Sequence, residues 1–197
     1  LSLTARYVFP VEGAGNPEII FMTTVSNVTP VSTTNMNTDQ RLLASYAAND
    51  LRRKAYFHNN TDGRILFKGS YNGNSTLFTG LSVSEILLNR AECYARTGTA
   101  QSAMGDLNLL YRHRLDKNNF QPLSGLNQDQ VLQIIIAERK KELVMRGIRW
   151  EDLRRLNKES RFAQTLTRKI RDKEYILERN DNRFAFPFPL EGIAAGG

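Results

Sequence analysis

At 197 residues, 41% apolar and 24% charged, the chain has the composition of a folded globular protein with room for a sizeable core. No apolar run approaches the roughly 20 residues needed to span a bilayer, no charged-then-apolar signal segment opens the chain, and the start at Leu1 reads as that of a piece of something longer. The net charge of +7 admits an anionic partner, but the thirteen Lys or Arg against five Asp or Glu between Arg139 and Lys173 come without a nucleic-acid motif, so they read as a solvated basic face.

Three zones follow one another. Residues 1–80 are rich in Asn, Thr, Ser and Gly, with apolar runs no longer than Ile19–Met22 and Ile65–Phe67. They predict long loops, a few short strands and one helix near Thr38–Ala48. Residues 81–158 predict helices. Ser82 with Glu85 is a capping box, and Val83, Leu87, Ala91 and Tyr94 form one stripe that Gly98 ends. Cys93 lies in this apolar pattern and is expected to be a small buried side chain. As the only cysteine it excludes an internal disulfide and a thiolate metal cage. A second helix after Thr99 carries Ala103, Leu107, Leu110 and Tyr111 on one side. Small residues at Ala91 and Ala103 let the pair close into an antiparallel hairpin of tetratricopeptide type. A third helix starts near Asn127, with Gln130 three places on, and runs to about Arg146. A short fourth covers roughly Trp150–Leu156. Residues 159–197 read as extended and irregular, with Phe184, Phe186 and Phe188 pinned onto a core. The whole, 1–197, reads as a single mainly α domain of helical hairpins with long irregular loops and a few short strands.

The sharpest chemistry is Glu138-Arg139-Lys140-Lys141-Glu142. One helical turn apart, Glu138 and Glu142 fall on the stripe of Val131 and Ile135, so both carboxylates face the core and need cations. The expected partners are Arg90, Arg149 and Arg154, with Arg155 beside them. A retaining glycosidase pair also fits that spacing, but it needs an acid held protonated, and arginines hold carboxylates ionised. The pair is therefore expected to be a structural ion network. His58 and His113 are too few for most metal centres, and no nucleophile elbow, phosphate loop or zinc-protease motif occurs. No cofactor, metal or catalytic residue is expected.

Read together, Glu85–Glu92, Tyr94–Gly98, Asp106-Leu107-Asn108 with Arg112 and Arg114, Glu138–Leu143 and Arg149–Arg155 resemble the C-terminal part of the SusD/RagB family in both order and spacing. Asn16–Phe21, Asp50-Leu51-Arg52-Arg53 and Phe186–Pro189 extend the resemblance to nearly the whole chain. One departure is Arg146 before Gly147, where the family usually carries an acid. The resemblance implies a non-catalytic lipoprotein of the bacterial outer membrane, on the cell surface. Such a protein binds glycans or other nutrients for a TonB-dependent transporter, and its membrane attachment is a lipid anchor in an N-terminal half outside this chain. A sugar site needs an aromatic face and amides, which nominates Tyr46, Asn35, Asn37, Tyr56 and Phe57. The alternative is a tetratricopeptide-like scaffold that binds protein and no small ligand.

Overall fold

The computed structural model describes residues 2–10, 15–26, 35–69 and 71–187. Its contacts divide into two compact units, Leu1–Arg146 and Gly147–Gly197.

Among its described residues, the first unit opens with short strands and two five-residue helices. β1 (Ile19–Phe21) and β2 (Thr24–Val25) come first. Asp39 caps α1 (Gln40–Ala44) by accepting from the Arg41 N–H, and α2 (Arg52–Tyr56) follows. β3 (Phe57–Asn59) and β4 (Ile65–Phe67) form an antiparallel hairpin with Phe57 opposite Phe67. β5 (Leu77–Phe78) pairs with β2, and β6 (Leu81–Ser82) with β1, both antiparallel. Gly80, between them, leaves no room for a side chain: a β-carbon there would stand 1.9 Å from the Phe21 carbonyl oxygen. The helix expected over Thr38–Ala48 shrinks to α1, and α2 forms where none is expected. Five residues carry too little periodicity to be read.

The helical core comes next. α3 (Val83–Arg96) starts at Ser82, whose hydroxyl accepts from the Glu85 N–H, and stops before Gly98 in the left-handed region at φ 93°. α4 (Ala100–Arg112) packs back on it, and α5 (Gln128–Glu142), opened by a reciprocal Asn127/Gln130 capping box, packs on α3 as well. Ala91, Ala95, Ala103 and Leu107 are fully buried at these contacts, where small side chains let the helices approach. Cys93 is exposed, contrary to expectation. The buried stripe of α3 runs through Leu88, Ala91, Glu92 and Ala95, and position 93 turns away from it.

α5 ends at Glu142 and does not continue to Arg146. Met145 adopts a left-handed φ of 61°, which turns the chain back. The Arg146 guanidinium then donates to the Gly80 carbonyl at 2.5 Å, to Ser82 Oγ at 3.1 Å and to Glu85 Oε2 at 3.0 Å. It also lies over the Phe78 ring, 4.3 Å from the centroid. The arginine that departs from the family pattern thus anchors the segment before α3.

The second unit contains α6 (Arg149–Leu156), which buries Asp152, Leu153 and Leu156. Where irregular chain is expected, β7 (Leu166–Ile170) and β8 (Lys173–Leu177) form a regular hairpin with Ile170 opposite Lys173. The turn is the two residues Arg171 and Asp172, with Arg171 left-handed at φ 54°. A 3-10 turn, Asn182–Phe184, follows. Trp150 Nε1–H donates to the Phe184 carbonyl at 2.9 Å, and its ring packs on Phe184 and Phe186 with centroids 4.8 Å and 5.7 Å away. Trp150 is a packing residue. Phe188 and Pro189 lie outside the described residues.

Candidate functional site

Glu138 and Glu142 face inward from the last turn of α5 and are 1% and 2% exposed. Two carboxylates at that depth require cations and donors, and the loop zone supplies two of them, Arg52 and Tyr71. Arg52 Nη1 donates to Glu142 Oε2 at 3.0 Å and Nη2 to Glu138 Oε2 at 2.8 Å. The same guanidinium is held in place by a fork to Asp50, Nε to Oδ1 at 2.9 Å and Nη2 to Oδ2 at 2.6 Å. Arg114, just past α4, donates to Glu142 Oε1 at 2.8 Å through Nη2 and to Glu18 at 2.8 Å and 2.5 Å. The Tyr71 hydroxyl donates to Glu142 Oε1 at 2.9 Å, and Lys141 pairs with Glu138. Four carboxylates and three cations therefore form one buried network across five segments of the chain.

The electrostatics follow from the geometry. Burial alone would raise the Glu142 carboxyl, but the charges of Arg114 and Arg52, with hydrogen bonds from Arg114 and Tyr71, hold it well below the usual carboxylate range. Burial and then the Glu142 charge push the Tyr71 hydroxyl far up, so it remains a donor. Tyr111 is pushed up in the same way, by burial and then by Glu138. An acid catalyst must be protonated and reachable, whereas Glu142 is ionised, enclosed and bonded at both oxygens. What this arrangement does is join segments.

The cations that the sequence nominates are placed otherwise. Arg90 forks onto Asp106 at 2.6 Å and 2.8 Å, tying α3 to α4. In the second unit Arg154 pairs with Glu151 at 3.1 Å. Arg149 sits there too, its guanidinium pushed down by burial and partly restored by Asp152. The partners that sequence reasoning passed over, Arg52 and Arg114, sit on a five-residue helix and just after a helix end, where no spacing rule reaches. The one local signal was Asp50 two places before Arg52.

The nominated sugar-binding aromatics also need correcting. Tyr46, Tyr56 and Phe57 are 5%, 2% and 5% exposed and form a second hydrophobic core with Leu43, Ala55 and Phe67. Tyr46 packs edge-on against Phe57 at 5.7 Å, and its hydroxyl donates to the Lys141 carbonyl at 2.8 Å. Rings enclosed in this way present no face to a sugar. Asn35 and Asn37 stay exposed. The Asn35 carbonyl accepts from Arg64 at 3.2 Å, and Asn37 Oδ1 accepts from the Ile65 N–H at 3.3 Å. Among the described residues no group of three or more His, Cys, Asp or Glu is arranged to hold a metal ion. Among them, too, no helix is long and apolar enough to cross a membrane.

The helical core has the loop zone locked to it by a buried ion network, whose glutamates and arginines are committed to architecture. The sequence profile of the SusD family matches residues 68–186, and the chain belongs to that family. Among solved structures, a SusD-like protein from Bacteroides fragilis NCTC 9343 is similar with a TM-score of 0.64 at 17% identity, over 96% of this chain and 55% of its own. A SusD-like carbohydrate binding protein from Bacteroides vulgatus ATCC 8482 is similar with a TM-score of 0.48 at 19% identity, over 73% of this chain and 33% of its own. The chain thus spans about half the length of the first and a third of the second. No curated protein matches the sequence.

Proposed function

We propose that the chain is part of a non-catalytic glycan-capture protein of the bacterial cell surface, which passes its ligand to a TonB-dependent transporter in the outer membrane. The observation that carries this reading is the family match over residues 68–186, a stretch that includes most of the buried network. That network supports the non-catalytic half of the reading, because the two glutamates spaced like a glycosidase pair are bonded to arginines and closed to substrate. The test is calorimetric titration of the folded chain with a panel of neutral and acidic oligosaccharides, followed by chromatography of the glycans. Saturable binding with glycan length unchanged is the expected result. Shortened products would overturn the non-catalytic reading, and a folded chain that binds none of the panel would overturn capture by this part of the protein. Co-purification of a TonB-dependent transporter with the protein from solubilised outer membranes tests the partner.

A further inference from the structure

The β7–β8 hairpin is the most exposed regular element of the second unit: every residue from Thr167 to Ile176 is solvent-exposed. A two-stranded hairpin bare on both faces is marginal by itself, so what its faces carry matters. The register separates them. Directly opposed residues share a face and alternate along each strand. One face therefore holds Thr167 and Lys169 opposite Ile176 and Glu174, a charge-balanced set. The other holds Arg168 opposite Tyr175 and Ile170 opposite Lys173, two cations with a ring and an aliphatic side chain and no acid. Ile170 is 60% exposed and Tyr175 46%. Lys173 Nζ lies 5.2 Å from the Tyr175 ring centroid, and neither Arg168 nor Lys173 pairs with an acid among the described residues.

We propose that the face formed by Arg168, Ile170, Lys173 and Tyr175 is a contact site for acidic sugars, uronate or sulfated units of a glycan. The proposal rests on the capture reading and names its ligand class. The aromatic ring takes the apolar face of a sugar, and the two cations flanking it take carboxylate or sulfate, Arg168 in fork geometry. Size decides against other occupants. At the backbone the patch measures roughly 7 Å along the strands by 5 Å across them, the scale of one or two sugar rings. A stable protein partner needs on the order of 800 Å² per side. A membrane surface is recognised by clusters of about four to eight cations, and two phosphate contacts give a nucleic acid little affinity at physiological salt.

The experiment titrates the full chain with an oligogalacturonate, a chondroitin sulfate oligosaccharide and, as neutral comparison, a maltooligosaccharide. Tyr175→Ala and the double variant Arg168→Glu/Lys173→Glu are run beside it, and exposed positions such as these leave the fold intact. The expected result is binding of the acidic probes that weakens roughly fivefold in Tyr175→Ala and by at least about an order of magnitude on charge reversal, with affinity for the neutral probe unchanged. Acidic probes binding equally to all three proteins would overturn the hairpin site and leave glycan capture standing. Charge reversal acting without any effect of Tyr175→Ala, with dextran sulfate bound equally well, would reduce the face to general polyanion attraction and overturn the proposal. A folded wild-type chain that binds none of the three probes would overturn the hairpin site together with capture by this part of the protein.

Discussion

Glu142 is the residue on which most of the buried charge converges. Replacing it by Gln keeps the shape but leaves Arg52 and Arg114 facing a neutral amide. Breaking one side of a buried pair costs about 3–5 kcal/mol, so Glu142→Gln is expected to lower stability by that order in urea unfolding at neutral pH. The pH dependence has a definite sign. The folded-state pKa of Glu142 is depressed below that of the unfolded chain, so its contribution is complete about one pH unit above the unfolded value of 4.5, where the unfolded side chain is ionised as well. It is lost as pH falls toward the depressed folded value. Between pH 5 and 3 the wild-type should therefore lose stability more steeply than Glu142→Gln, and parallel slopes would count against the network. Tyr46 separates core from platform. Tyr46→Phe removes only the bond to the Lys141 carbonyl, one of the orphan acceptors at the end of α5. A loss of about 1 kcal/mol with glycan affinity unchanged is expected, and weaker glycan binding at unchanged stability would return Tyr46 to the ligand.

At the scale of elements, Gly80 is the narrowest point of the loop zone. Gly80→Ala puts a methyl group against the Phe21 carbonyl, and overpacking of this kind costs about 1–3 kcal/mol. Amide exchange at Ile19 and Phe21 should accelerate as the β1–β6 pairing gives way, and unchanged exchange would show that the turn relaxes without it. Elements also show what the sequence can express. The capping residues Ser82, Asn127 and Gln130 are local signals, and α3, α4 and α5 were legible within a few residues, although the buried face of α3 runs through Leu88, Ala91 and Ala95 and leaves Val83 exposed. The end of α5 was not, because it depends on Arg146 reaching Gly80, Ser82 and Glu85 some sixty residues earlier. The β7–β8 hairpin was missed for another reason: its charged turn, Arg171-Asp172, lacks the Asn-Gly or Asp-Gly pair by which two-residue turns are recognised.

At the scale of the whole molecule, the loop zone has the short strands its sequence predicts, but its nominated aromatic rings lie inside a core. Its Asn, Thr, Ser and Gly content suggests surface, yet it encloses a core of Leu43, Tyr46, Ala55, Tyr56, Phe57 and Phe67. Composition averages over a segment and does not show which few side chains turn inward. The inward orientation of Glu138 and Glu142 was legible because helical geometry fixes it. Their partners were not, since pairing across 90 residues is a property of the finished fold. Local stability should divide along the same lines. Native-state hydrogen exchange is expected to be slowest in α3, α4 and α5, where the side chains are most buried, and fast in β7 and β8, whose side chains face solvent. Equal protection of the hairpin and the helices would contradict that division.

The ion network also sets an order of events during synthesis. Glu18, Asp50, Arg52, Tyr71 and Arg114 leave the ribosome before Glu138 and Glu142, and Arg52 and Tyr71 wait 90 and 71 residues for the carboxylate that joins them. At about 5–20 residues per second, that interval is several seconds in which Arg52 has only Asp50, and Arg114 only Glu18, of its counter-charges in the finished network. The loop zone, made before the helices that follow it, is then among the last regions to lock, and a chain released before residue 142 would carry every one of those earlier segments without the residue that closes them together.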